Sequence, residues 1–227
     1  METGGLCRAS SENFPRDIFL STDVQALDNL AMKLGGFSAF DLMKEASALC
    51  KELIEHNWPD CKSVTIWAGG GNNAGDGYLL ASLLNASGFE VTVIQIVPSV
   101  ELKGDASTAM ESARDAGILF RGWPLNGALS VKKSSDHLWV DAMLGIGLNR
   151  PVEDNFLNAI EYFNHGAVPK LSIDIPSGLC SNTGVPLGRA VKADVTMTFL
   201  ALKLGLLTGD ASDYVGELFF NALKTSD

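Results

Sequence analysis

Basic residues are scarce in this chain: 17 Lys and Arg stand against 27 Asp and Glu, so its 227 residues carry a formal net charge of −10. A sequence-independent grip on nucleic-acid backbone needs the opposite sign, which excludes that class of function. Cysteine is scarce as well. Cys7, Cys50, Cys61 and Cys180 include no C-x-x-C pair and are too few for a disulfide scaffold of this size, which predicts a reducing compartment. His56, His137 and His165 are isolated from one another and give no zinc-ligand spacing with the cysteines. No apolar run approaches the roughly 18 residues of a membrane span, and the N-terminus lacks a basic start followed by an apolar stretch. The chain therefore reads as soluble and cytoplasmic.

Apolar material, by contrast, is ample: 46% of the residues are hydrophobic and 19% charged, with a mean hydropathy of +0.15. That is enough to offset the ordering entropy of a compact fold and excludes disorder for the bulk of the chain. The expected organisation is one domain over residues 21–227, after a loose lead-in over 1–20 that contains Gly4-Gly5 and Ser10-Ser11. If the ligand of so acidic a protein is an anion, local dipoles, a cation or a few placed side chains must hold it.

Two helices open the domain. The first starts at Thr22-Asp23-Val24-Gln25, which fits a capping box, carries Val24, Leu27, Ala31 and Leu34 on one face and ends at Gly35-Gly36. The second runs from Ser38, with Asp41 three residues on, through the stripe Leu42, Ala46, Leu49 and Leu53, and stops near Pro59. From residue 63 the pattern changes to short apolar strands alternating with helices. Strands are predicted over 63–68, 90–97, 137–144, 170–175 and 194–200, with helices from the glycine turn after residue 68 to Gly88, around 104–116 and around 153–164. Such alternation predicts an α/β fold, a Rossmann-like three-layer αβα sandwich with a mostly parallel sheet and the two N-terminal helices beside it. The long apolar N-terminal helices are compatible with a homodimer.

In an open parallel sheet, ligands bind outside the carboxyl ends of the strands, and three strand ends stand out here. The first is Gly69-Gly70-Gly71-Asn72-Asn73-Ala74-Gly75-Asp76-Gly77, a turn that permits close backbone approach and leads into a helix N-terminus suited to phosphate. It lacks the Lys-Ser/Thr of a triphosphate loop, and the following strand ends Gln95-Ile96-Val97 without the acid that takes the ribose hydroxyls in a conventional dinucleotide domain. The second is Trp139-Val140-Asp141, leading into Gly145-Ile146-Gly147-Leu148-Asn149-Arg150-Pro151. A carboxylate at the end of an apolar strand implies a partner, and Arg150 is a fixed positive charge for a phosphate. The third is Asp174-Ile175-Pro176-Ser177-Gly178, whose Ser177 hydroxyl is free of any G-x-S-x-G elbow. Oxygen-bearing side chains of mixed charge at three successive strand ends suit a hard cation. Lys203, after a further apolar strand, is read either as a phosphate contact or as a solvated loop charge.

Taken together, Gly71–Gly77, Asp141–Leu148 with Arg150-Pro151, and Asp174–Gly178 resemble, in order and spacing, the YjeF N-terminal domain family, the NAD(P)H-hydrate epimerases. The opening Gln25, Leu27-Asp28 and Leu42-Met43-Lys44-Glu45-Ala46 and the later Lys203-Leu204-Gly205-Leu206 are similar to that family too, and Ala74 stands where it usually has glycine. The resemblance implies interconversion of the R and S forms of hydrated NADH or NADPH, alongside a separate or fused dehydratase. It implies that Asn72, Asn73, Ala74, Gly75, Asp76, Gly145, Ile146, Gly147, Leu148, Asn149, Arg150 and Pro151 hold the substrate. By the same resemblance Asn73, Asp141 and Ser177 bind a potassium ion and Asp174 meets the reacting ring as catalytic acid/base. The alternative is a non-catalytic Rossmann-like ligand-binding or scaffold module.

Overall fold

The computed structural model describes residues 6–9, 14–124 and 136–223. In chain order it contains the strands β1 (Cys7–Arg8) and β2 (Ile18–Phe19), helices α1 (Ser21–Gly35) and α2 (Ala39–Asn57), β3 (Ser63–Ala68), α3 (Asn72–Ala86), β4 (Glu90–Gln95), α4 (Gly104–Asp115) and β5 (Leu119–Gly122). These are followed by β6 (His137–Ala142), α5 (Asp154–His165), β7 (Lys170–Ile173), β8 (Val195–Phe199), β9 (Leu202–Lys203) and β10 (Glu217–Asn221).

Eight strands form one sheet in the order β1-β10-β8-β7-β6-β3-β4-β5, parallel throughout except for the antiparallel pairing of β1 with β10. β3 is central, in register with β4 on one side and β6 on the other, so that Ala68 lies beside both Gln95 and Ala142. Side chains alternate across the pleat. Ile66, Leu138 and Val140 face a core shared with Leu53 of α2, Leu80 of α3 and Ala109 of α4, whereas Trp67, Trp139 and Ile94 pack on Ile160 and Phe163 of α5. Helices thus cover both faces, as the strand–helix alternation predicts.

Several expectations are refined by the structure. The stretch expected to be loose is tied down where it is described. β1 zips onto the sheet edge with Arg8 paired to Glu217, Leu6 is buried, and β2 pairs with β9. Too short to show a period, these strands gain their order from the partners they pair with. Residues 1–5 and 10–13 of that stretch lie outside the described residues. α1 begins one residue before Thr22, and Asp23 accepts a hydrogen bond from the Leu20 N–H. α2 carries the expected cap, in which Asp41 N–H donates to Ser38 Oγ and Ser38 N–H to Asp41 Oδ2, both at 3.1 Å. β4, β6 and β7 all stop short of the expected ends, because the chain leaves the sheet there to build the loops of the cleft described below. β5, β9 and β10 have no counterpart in the sequence reading.

Gly69 marks where two strand ends come closest: a Cβ there would lie 1.9 Å from the Met143 carbonyl oxygen. The obstacle is backbone of the neighbouring strand's exit, which cannot step aside as a side chain can. Gly69→Ala is therefore expected to lower the unfolding free energy by about 3 kcal/mol in denaturant titration, the upper end of overpacking costs. Gly122→Ala, where the space is open, is expected to change it by less than about 1 kcal/mol.

Candidate active site

The chain leaves β3 through Gly69-Gly70-Gly71 and enters α3 at Asn72, with Gly71 in extended conformation as N-cap and no acidic side chain in the first turn. The N–H groups of that turn and the positive end of the helix dipole are thus open to an anion. One turn of helix sorts the motif into two faces. Asn72, Asn73 and Asp76 line the cleft, whereas Ala74 and Gly75 turn away from it. Ala74 is fully buried, and a Cβ on Gly75 would collide with the Met43 sulfur of α2 and touch Ala106 of α4. Of the five residues expected to hold substrate in this loop, the structure thus keeps Ala74 and Gly75 off the cleft surface, as the helical period requires.

Asp141, the penultimate residue of β6, is completely buried. Its Oδ1 accepts from Ser177 Oγ at 2.5 Å and from Met143 N–H at 3.2 Å; its Oδ2 accepts from Ser177 N–H at 2.8 Å and from Ser172 Oγ at 2.9 Å. Burial outweighs these bonds and pushes its carboxyl up to about 6. Ser177 Oγ accepts from Leu144 N–H at 2.8 Å and lies 3.2 Å from the Leu144 carbonyl, which in turn accepts from Asn73 Nδ2 at 3.0 Å. Asn73, Asp141 and Ser177 are therefore assembled at one place, Asn73 at the cleft surface and the other two beneath it. Asn73 Oδ1 is buried there without a hydrogen-bond partner. An orphaned amide oxygen beside a carboxylate and a hydroxyl is a donor set that suits a hard cation. The Ser177 hydroxyl can turn its proton to the Leu144 carbonyl and uncover Asp141 Oδ1.

Asp174 follows β7 with φ of 68°, in the left-handed region that Asp tolerates better than most residues. Its Oδ1 is paired with Lys203 Nζ and accepts from Thr198 Oγ1 at 3.3 Å. Lys203 is 1% exposed, which corrects both sequence readings of it: it reaches no solvent, and its ammonium is spent inside the protein. Beyond Asp174 it donates to Thr198 Oγ1 at 3.0 Å and to the Phe199 carbonyl at 2.8 Å.

These three loops meet in a cleft of about 1240 Å³ whose lining takes in all seven residues from Gly145 to Pro151 as well as Asp174. Asp141 and Ser177 lie beneath it. Arg150 is exposed on the wall and, with Lys203, supplies the basic residues of the lining. Asp28 of α1, Glu101, Glu153 and Asp154 also face it. Asp28 was visible in the sequence only as part of the opening pattern, with no role attached. The four non-glycine residues with positive φ among the described residues, Asp154, Asp174, Leu200 and Leu223, all line the cleft, so backbone strain is concentrated there.

The fold and cleft define a Rossmann-like sandwich whose candidate ligand site gathers at the carboxyl ends of β3, β6 and β7. Within that class the chain belongs to the family described as YjeF-related protein N-terminus, which matches residues 39–205. It is 34% identical to the bifunctional NAD(P)H-hydrate repair enzyme Nnr of Escherichia coli, over 93% of this chain and 40% of that protein. It is 32% identical to the NAD(P)H-hydrate epimerase of Limosilactobacillus fermentum, over 87% of this chain and 92% of that one. The chain therefore spans well under half the length of the bifunctional relatives it matches. The crystal structure of the yeast protein ynu0 superposes with a TM-score of 0.74 at 21% identity, covering 83% of this chain and 82% of that one, and shares the fold.

The buried Lys203–Asp174 pair makes a prediction about stability. Lys203→Met leaves a carboxylate without its counter-ion and is expected to cost about 3–5 kcal/mol in denaturant titration, the range for breaking one side of a buried pair. Adding Asp174→Asn to it is expected to restore much of that loss, so that the double-mutant cycle shows a large coupling.

Proposed function

We propose that the protein is an NAD(P)H-hydrate epimerase, interconverting the R and S forms of hydrated NADH or NADPH so that a dehydratase, separate or fused, can restore both to intact cofactor. The names of its relatives support the substrate class. The observation that carries the reading is Asp174, a carboxylate held by the buried Lys203 in the wall of a cleft that also takes in a helix N-terminus and Arg150. All four cysteines are free thiols, in keeping with a cytoplasmic setting.

The reaction asks for inversion at a ring carbon that carries a hydroxyl beside a ring nitrogen. The C–O bond breaks with its electrons going to oxygen, the nitrogen lone pair delocalises onto the carbon, and water then adds from the other face. The intermediate is cationic, so a fixed negative charge near the ring stabilises it more than it stabilises the neutral ground state. Asp174 supplies that charge, and as acid/base it takes part in moving the proton that leaves with the hydroxyl and returns with the water. The N–H groups at the start of α3, the 145–151 loop and Arg150 hold the phosphates. Asn73, Asp141 and Ser177, with the orphaned Asn73 Oδ1, fit a potassium ion, which when bound supplies a positive charge that fixes the loops and the substrate.

A non-catalytic module of the same fold is the second reading, and the lysine-paired Asp174 speaks against it. A conventional NAD-dependent oxidoreductase is disfavoured because β4 ends in Gln95, whose amide donates to the Tyr78 hydroxyl, where an acid would take the ribose.

Incubated with a mixture of both hydrates and a stereospecific dehydratase, the protein is expected to let both isomers be consumed, whereas the dehydratase alone leaves one behind; a persistent isomer would overturn the proposal. Asp174→Asn, which keeps the size and tolerates the positive φ, is expected to cut turnover by about 10²–10⁴-fold with KM little changed. Potassium chloride is expected to raise the thermal midpoint of the wild type but not of Asn73→Ala, and tetramethylammonium chloride to raise neither.

A further inference from the structure

Of the carboxylates that line the cleft, those of Asp28, Asp76 and Asp174 are part-buried and share it with a single buried ammonium, that of Lys203. A lysine has three hydrogens to give. Here they go to Asp174 Oδ1, Thr198 Oγ1 and the Phe199 carbonyl, and the Thr198 hydroxyl is itself directed at Asp174. Nothing remains for the other two acids: among the described residues, neither the Asp28 nor the Asp76 carboxyl has a hydrogen bond or an ion pair. Three ionised carboxylates around one ammonium would leave two uncompensated charges in a part-buried space, so the cluster holds a proton.

The surroundings decide where that proton sits. Asp76 faces Asp28 from α1, Cys50 from α2, Asp174 from the loop after β7 and Lys203 from β9, whereas α4 turns Ala106, Ala109, Met110 and Ala113 inward and leaves Glu111, Arg114 and Asp115 exposed. Burial, with the charges of Asp174 and Asp28 beside it, holds the Asp76 carboxyl well above the usual carboxylate range. Asp28 is raised as well, chiefly by burial, and the Cys50 thiol is pushed up and stays neutral.

We propose that Asp76 is the general acid of the epimerisation, the proton-bearing partner of the lysine-paired Asp174. The inference rests on the epimerase reading and divides its proton chemistry between two residues. A buried carboxyl without a counter-ion beside one paired with lysine divides the roles of acid and base. The C–O bond of the hydrate breaks as Asp76 gives its proton to the departing oxygen, which leaves as water, and Asp76 becomes a carboxylate. A second water bonds to the cationic carbon from the opposite face, and the resulting oxonium is acidic enough to surrender a proton even to a carboxylate already held by lysine. That proton passes from Asp174 back to Asp76, and the site is restored with no oxidant or cofactor consumed.

The test uses the full chain. Asp76→Asn keeps the size but cannot deliver the proton, and is expected to lower kcat by about 10²–10⁴-fold while KM stays within about threefold. The wild-type kcat profile is expected to fall on its alkaline side as the cluster loses its proton. Asp28→Asn removes a like charge from beside Asp76, weakens its hold on the proton and is expected to move that limb to lower pH. A packing role for either residue would leave the limb in place. Wild-type kcat in Asp76→Asn, or an unmoved limb in Asp28→Asn, overturns the inference. Carbon-13 NMR of the wild-type Asp76 carboxyl reads the proton without any turnover. A signal that ionises at higher pH than that of an exposed aspartate is expected and one that ionises with it overturns the inference, whereas a wild-type protein that leaves one hydrate unconsumed overturns the epimerase reading instead.

Discussion

A carboxylate buried at the end of a central strand has to be met by donors, and in this protein that requirement organises the candidate site. Asp141 is reached from its own exit loop by Met143 N–H, from β7 by Ser172, and from the loop beyond β7 by both the backbone and the side chain of Ser177. Each donor satisfies the acid only from one position. The exits of β6 and β7 are therefore locked to each other, and through the Leu144 carbonyl the lock extends to Asn73 at the start of α3. Burying this charge is costly in isolation. What it secures is the relative placement of three loops whose bonded residues lie 71 and 36 positions apart in the chain.

The acidity of the chain takes on a structural meaning in this light. The positive resources differ in their exposure: Asn72 at the start of α3 and Arg150 are exposed, whereas Lys203 is enclosed with Asp174. A ligand that joins phosphates to a ring passing through a cation would need both kinds of group in one cleft. Net charge is a poor guide to such a division, because the first-turn amides of a helix attract an anion without appearing in any count of charged residues.

The layered architecture was legible in the sequence because each central strand is an apolar run bounded by turn residues and each helix shows its own period. β3 from Ser63 to Ala68 and the cap of α2 at Ser38 and Asp41 follow the expected bounds. The edge was not legible: β5 is short and largely exposed, β1 and β9 span two residues each, and their pairing is decided by neighbours far along the chain. Within the site, Asp141 and Asp174 announced themselves as acids in apolar strands. Lys203 did not reveal its role, since a lysine after a strand has the same local pattern whether it reaches solvent or a carboxylate twenty-nine residues earlier. Asp28 was hidden for a related reason: on an amphipathic helix, an acid that looks into a cleft follows the same period as one that looks into water.

Strain completes the picture. A strand that ends at a ligand site must turn its chain abruptly, and here Asp174 after β7 and Leu200 after β8 do so with positive φ. Each such residue costs about 1–3 kcal/mol and persists only where its surroundings over-determine it. For Asp174 the over-determination is visible: its N–H donates to the Met197 carbonyl at 2.7 Å, and its carboxylate is held by a lysine whose other two hydrogens bond Thr198 and Phe199 of the adjacent strand. A reaction whose two isomers pass through one shared planar intermediate gains from a charge held this firmly. In the proposed reaction that charge stabilises the cation during departure from one face and addition to the other without rearranging, and the energy of holding it in place is supplied by the fold before any substrate arrives.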